Sequence, residues 1–227
     1  MQSGDLIIAV FEFVLLIFSL SVHECAHAWM ASRLGDQTAR ELGRVTLNPV
    51  VHIDPVGTLI LPALMIFGPF IGFSLFGGML IGWAKPTPVI TRNFRKIVRD
   101  DNLTTLAGPA SNLLIALVAF TVLAVIILFQ GQLPQQGSVM TNIQALVILC
   151  RLAIQVNLVL FFFNLLPIPP LDGSRILRNL LPYNAVQRYD RIPIWASYLL
   201  MIFLGPMILR LLLGPSLAMV YFALRHI

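Results

Sequence analysis

An almost unbroken apolar run, Leu6 to Val22, ends on a polar cluster, "HECAH", at His23 to His27. Comparable runs follow at Leu113 to Phe129 and Ile143 to Leu166. A fourth region, Trp195 to Leu224, is divided by Gly205-Pro206 and Gly214-Pro215. About twenty apolar residues in a helix cross a hydrocarbon core about 30 Å thick, so the pattern predicts spanning helices. The stretch "GTLILPALMIFGPFIGFSLFGGMLIGW", between Arg44 and Lys85, is also long enough to cross. Gly57, Pro62, Gly68 and Pro69, with the glycines that follow, weaken a straight helix there and suit a re-entrant element. The expected fold is an all-α polytopic membrane protein. It has a core of three spanning helices, a re-entrant or extended element, and C-terminal helices that form one kinked crossing or two shorter pieces. A single integral membrane domain is expected over residues 1–227.

Composition agrees. The chain is 58% hydrophobic and only 11% charged, with a mean hydropathy of +0.87, outside the range of an ordinary soluble domain. A net charge of +5 raises the question of nucleic acid, but the basic residues are spread over several loops instead of one module, which excludes that partner. They read as topology signals. Arg33, Arg40 and Arg44 follow the first run, Lys85 to Arg99 precede the second, and Arg175 to Arg191 follow the third, while "QGQLPQQGSVMTN" carries no charge. By the positive-inside rule the basic segments are cytosolic and the uncharged loop is external. That rule also favours re-entry for residues 57–82, since both flanks are basic. The first run lacks a basic n-region and a cleavage site, so it is expected to stay in the mature protein. Cys25 and Cys150 offer no disulfide framework and are expected to be reduced, buried thiols.

Polar groups at the end of an apolar run demand an explanation, because ionisable residues in a membrane helix cost about 2.5–3.5 kcal/mol each and usually face a functional interior. On a continuing helix His23 and His27 are four residues apart, about 40° apart in projection, so both imidazoles reach one cation. Glu24 lies beside that cation, placed to take a proton from metal-bound water. Cys25 falls on nearly the opposite face. A catalytic zinc needs a third protein ligand. His226 reads as an exposed end group; His52, in a loop between prolines, is either a better-placed ligand or a structural residue, and Asp54 beside it suits a turn cap. The strongest candidate is Asp172 in "FNLLPIPPLDGSRIL", where Pro167, Pro169 and Pro170 stop the third run and Gly173 lets the chain turn. The competing reading makes Asp172 the cap of a helix starting at Ser174.

Three segments, "HECAH", "AGPASN" (Ala107 to Asn112) and "NLLPIPPLDG" (Asn164 to Gly173), resemble the signatures of the site-2 protease family of intramembrane zinc metalloproteases. "GRVTLNPVVHIDPVGT" and "GWAKPTPV" resemble its compact bacterial subgroup, and a chain of this length is expected to leave no room for PDZ or CBS domains. The resemblance implies that His23, His27 and Asp172 hold Zn2+ and that Glu24 is the general base. It further implies that Asn164 and Asn112 bind substrate or stabilise the oxyanion; the competing reading, evenly matched for Asn112, is interhelical hydrogen bonding. The substrates implied are membrane-spanning proteins within the lipid bilayer, and the location a bacterial cytoplasmic membrane with the site towards the cytosol.

Two further features bear on the chemistry. Pro86 and Pro88 bias Lys85 and Thr87 towards extended geometry, so Trp83, Ala84, Lys85, Pro86 and Thr87 form a candidate strand for an unwound substrate. A mere interfacial connector is the competing reading. Glu12, in mid-run, suits a water path or an ion pair with Arg151 or Arg210. Gly108-Pro109 predicts a break ahead of Asn112. Two other functions compete with proteolysis: a metal or proton transporter, for which no internal repeat is visible, and a non-proteolytic zinc scaffold, which has no need of Glu24.

Overall fold

A computed structural model describes residues 3–73, 82–129 and 138–226. Within them lie α1 (Ser3–Leu34), α2 (Thr38–Glu41), α3 (Leu61–Phe67), α4 (Ile97–Leu128), α5 (Ser138–Asn164), α6 (Asp172–Leu180), α7 (Tyr183–Tyr189), α8 (Ile194–Phe203) and α9 (Gly205–Arg225). Four of these, α1, α4, α5 and α9, are long and apolar enough to cross a membrane, and the protein is an all-α integral membrane protein. The loop at residues 130–137, read as external, lies outside the described residues.

Length sets the position of the polar cluster. At 1.5 Å per residue the 32 residues of α1 extend about 48 Å, more than the roughly 30 Å of hydrocarbon. The helix therefore runs straight through "HECAH" and carries it to the end of the span. α4 is equally long and passes Gly108-Pro109 without interruption, so the expected break is absent. Proline costs the Thr105 carbonyl its partner four residues on, a loss that packed membrane helices tolerate.

α1 and α4 lie antiparallel. His27, His23 and Ser19, stepping back by four, meet Thr104, Gly108 and Asn112, stepping forward by four. α5 returns antiparallel to α4, and its Val156 and Leu160 pack on Leu16 and Leu20 of α1. Lipid supplies no hydrophobic drive between helices, so close approach through small residues matters. Ala28, Ala31, Ala116 and Ala119 are buried at these contacts, while Val14, Phe18, Leu114 and Val118 face outward as a lipid-facing surface should. α9 packs on α5 through Leu209 and Leu224. The C-terminal region is two helices divided at Leu204, just ahead of Gly205-Pro206; Pro215 sits inside α9 without ending it.

The stretch after Asp54 is broken, as its glycines and prolines imply. Asp54 caps it by accepting from the Val56 and Gly57 amides. A π-helical turn (Pro55–Ile60), α3 and a 3-10 turn (Gly68–Ile71) follow in succession. Residues 74–81 of the expected re-entrant element lie outside the described residues, but its two ends meet. The Trp83 amide donates to the Gly57 carbonyl at 3.1 Å, and the Thr58 hydroxyl to the Trp83 carbonyl at 2.8 Å. These two bonds bring the described ends of the expected re-entrant element to one point.

Asp36, fully buried beyond α1, ties the following segment down. Its carboxylate accepts from Thr38, the Ile90 amide (2.7 Å) and the Asn93 side chain (2.9 Å). Burial alone would raise its pKa, but these hydrogen bonds outweigh it and hold it below the ordinary value. A lowered folded pKa favours the ionised form in the native state. The stability it contributes is therefore present above the unfolded value of about 3.9 and lost as pH falls through the folded one. Asp36→Asn should cost about 1–3 kcal/mol at pH 7, seen as a lower thermal midpoint in detergent, and its gap from the wild type should close below about pH 4.

Candidate metal centre

Three ligand atoms converge where α1, α4 and α6 meet. His23 Nε2 lies 3.0 Å from His27 Nε2, and Asp172 Oδ2 lies 3.1 Å from the first and 3.3 Å from the second. Among the described residues this is the only cluster of three or more His, Cys, Asp or Glu groups able to hold a metal ion. Cys25, His52 and His226 are not part of it; Cys150 is buried as expected, but Cys25, on the face of α1 turned away from the histidines, is only half-buried. His52 is buried with Nε2 on the Thr46 carbonyl, and His226 is exposed at the end of α9.

Each imidazole is held from behind. His23 Nδ1 meets Asn112 Oδ1 at 2.7 Å, and His27 Nδ1 meets the Thr104 carbonyl at 2.8 Å. A carbonyl only accepts, so His27 Nδ1 carries the proton, and a neutral ring then aims its Nε2 lone pair at the shared point. Asp172 Oδ2 is buried with no hydrogen-bond partner. Three electron-rich atoms about 3 Å apart repel one another unless positive charge sits among them. Around zinc, with bonds of about 2.0–2.1 Å, tetrahedral ligands are about 3.3 Å apart, close to the spacings found. The donor set fits zinc.

Asp172 reaches this point because α6 begins with it. The helix starts at Asp172, not at Ser174, with Leu171 as its cap residue, so the side chain is free of capping duty. A Cβ at Gly173 would lie 2.6 Å from the Leu166 carbonyl, so only glycine lets the turn close against the end of α5. Arg175 and Asn179 latch α6 onto Asp101 of α4 at 2.6 and 2.7 Å.

Glu24 is buried beside the pair. Its Oε2 accepts from the Thr87 amide at 2.8 Å, and its main-chain carbonyl from the Thr87 hydroxyl at 3.0 Å. Glu24, Asp172, Trp83, Ala84, Thr87 and Asn164 share the wall of a cavity of about 400 Å³. Asn164 bonds to the Leu160 carbonyl. Asn112 is elsewhere: fully buried, it sits behind His23 and bonds onward to Asn157. Lys85 donates its amide to the His52 carbonyl and Pro86 accepts from Arg44 at 3.3 Å. No ion pair joins Glu12 to Arg151 or Arg210 among the described residues.

Sequence reasoning missed Thr104, Asn157 and Gly108. Asn157 is an amide in the middle of an apolar run, a signal that was available. Gly108 matters by what it lacks, since a Cβ there would sit against both Nε2 atoms, 2.6 Å from that of His23.

Such a centre in a lipid-spanning bundle is that of a membrane metallopeptidase. Residues 11–207 match the model of Peptidase family M50, and the chain belongs to that family. A Bacillus subtilis (strain 168) protein named "Putative zinc metalloprotease YwhC" is 40% identical over 169 residues, 74% of this chain and 68% of that protein. Two proteins named "Putative zinc metalloprotease Rip2" are more distant. That of Mycolicibacterium smegmatis is 33% identical over 69% of this chain and 52% of its own length. That of Mycobacterium tuberculosis H37Rv is 30% identical over 84% of this chain and 65% of its own. No solved structure matches the chain.

Gly108→Ala places a methyl group where the ion would bind. The purified variant should carry less than about a tenth of the zinc of the wild type, in line with the sensitivity of such sites to their surroundings, as measured by elemental analysis.

Proposed function

We propose that residues 1–227 act as one intramembrane zinc endopeptidase domain that hydrolyses peptide bonds in or near the transmembrane segments of membrane proteins. The site works towards the cytosolic side of a bacterial cytoplasmic membrane. The observation that carries this reading is the convergence of His23 Nε2, His27 Nε2 and Asp172 Oδ2 within 3.0–3.3 Å of one another, with the Glu24 carboxylate on the same cavity wall.

His23, His27 and Asp172 are the metal ligands. When bound, zinc polarises a scissile carbonyl and lowers the pKa of a coordinated water to about 7. Glu24 takes the proton from the attacking water and passes it to the leaving amine. The Thr87 amide engages one carboxylate oxygen of Glu24, which steadies the base and leaves the other oxygen for the water. Developing negative charge on the carbonyl oxygen calls for fixed donors. Asn164 suits that role, since only one of its two amide hydrogens is engaged, by Leu160. Asn112 does not, its amide being committed to His23, Asn157 and Ser19.

A substrate helix must unwind before its carbonyls are open to attack, and the extended segment at Trp83 to Thr87 can hold it. Trp83, Lys85 and Thr87 spend their amides on Gly57, His52 and Glu24. Alternate residues of extended backbone point to opposite edges, which leaves Ala84 to donate on the other edge, where Pro86 and Pro88 have no N–H. Strand addition there presents the scissile bond to the cavity.

In Glu24→Gln, zinc content should persist while cleavage of a single-span model substrate falls about 10²–10⁴-fold, the usual worth of a general base. Undiminished cleavage would remove Glu24 from the chemistry, and ion transport surviving the change would favour a transporter. Ala84→Pro deletes the outer amide. At full zinc content it should lower kcat/KM about tenfold, the equivalent of one hydrogen bond; an unchanged value would mean the segment is only a connector.

A further inference from the structure

Two asparagines, Asn112 of α4 and Asn157 of α5, are fully buried where the apolar helices α1, α4 and α5 pack together. Polar side chains in that setting often serve merely to join helices. Here the chain of bonds ends on a candidate metal ligand, and it has a direction. Asn157 faces the Ala153 carbonyl at 2.9 Å, and a carbonyl has no proton to give. Asn157 must therefore turn its Nδ2 towards Ala153, which leaves its Oδ1 facing Asn112. Asn112 must present Nδ2 to that oxygen, at 3.0 Å, and the Ser19 carbonyl at 3.5 Å weakly favours the same orientation. What remains for His23 is Asn112 Oδ1, an acceptor, at 2.7 Å from Nδ1. His23 Nδ1 must then carry the proton, and Nε2 offers its lone pair towards Asp172 and His27.

We infer that Asn157, through Asn112, fixes the tautomer of His23 and is a positioning residue for the metal site. The inference rests on the metal-centre reading for its purpose, but its hydrogen bonds involve protein groups alone. His27 reaches the same tautomer directly, through the Thr104 carbonyl. The two ligands thus have their protons set by two different helices, α5 through α4 for one and α4 alone for the other. Partners of this kind are typically worth 10–100-fold in metal affinity. Asn157 touches neither imidazole, so its effect has to pass through Asn112.

The test uses the full chain in detergent micelles or nanodiscs, with Asn157→Leu, Asn157→Asp, Asn112→Leu and the double leucine variant. Zinc affinity is read by chelator competition, and ring-nitrogen chemical shifts of ¹⁵N-labelled histidine are read in the metal-free protein at a pH high enough for both rings to be neutral. Asn157→Leu should bind zinc about 10–100-fold more weakly and lose the pure Nδ1–H form of His23, while His27 keeps its own as an internal control. Asn157→Asp offers an oxygen acceptor to Asn112 in either protonation state and should hold the tautomer, with zinc affinity within a few-fold of wild type. Adding Asn157→Leu to Asn112→Leu should cost less than about a further twofold, since coupled residues are not additive. An unaltered His23 tautomer in Asn157→Leu, or losses that simply multiply, would overturn the inference. Loss of order at both histidines in that variant would also overturn it, by reducing Asn157 to a packing residue. If the wild type binds no zinc, the metal reading fails, and the nitrogen shifts still decide the role of Asn157.

Discussion

Three electron-donating atoms held about 3 Å apart inside a helix bundle form an arrangement that relaxes apart unless something holds each of them. Lipid offers neither water to screen them nor partners to satisfy them. Asn112 and Thr104 stand behind the two imidazoles, and the Asp101 latch stands behind the helix that brings the carboxylate. The close fit of α1 against α4 follows from the same need. Gly108 is the point where any side chain at all would enter the space between the rings.

The base is built on a different support. Glu24 shares α1 with the histidines, but its carboxylate is steadied by Thr87, from the extended segment that also borders the cavity. That segment is fastened along one side to Gly57, His52, Arg44 and Asp36 through itself or its neighbours. The element that would receive a substrate is thus in mechanical contact with the group that would act on it. Misplacement of the proposed base by an ångström would be costly in catalysis, and Thr87 holds both its carboxylate and its main-chain carbonyl.

Much of this was legible in the chain because lipid simplifies the code. Twenty apolar residues mean a crossing, and a histidine pair four apart at the end of one is too costly to be incidental. The direction of Asp172 was legible from the prolines ahead of it and Gly173 after it. The exact start of α6 was not, because Asp at a helix start reads as a cap on local grounds, and only the distant histidines decide otherwise. Gly108-Pro109 misled for a related reason. Local propensity argues for a break, but the helix is held through it by packing on both sides, which no single segment records. The contact of Thr87 with Glu24 spans 63 positions and has no local signature. Asn112 carried its signal as a motif residue, yet whether its amide faced the substrate or the back of His23 depended on how α1 and α4 are rotated about their axes.

The two imidazoles come from α1 and the carboxylate from α6, so most of the chain has to be made and threaded before the set is complete. A ribosome delivers the N-terminal end first. During synthesis the nascent protein would thus carry the two histidines without the carboxylate. On the proposed reading, separating the ligands along the chain would postpone hydrolysis until Asp172 has been made and α6 has packed on α4.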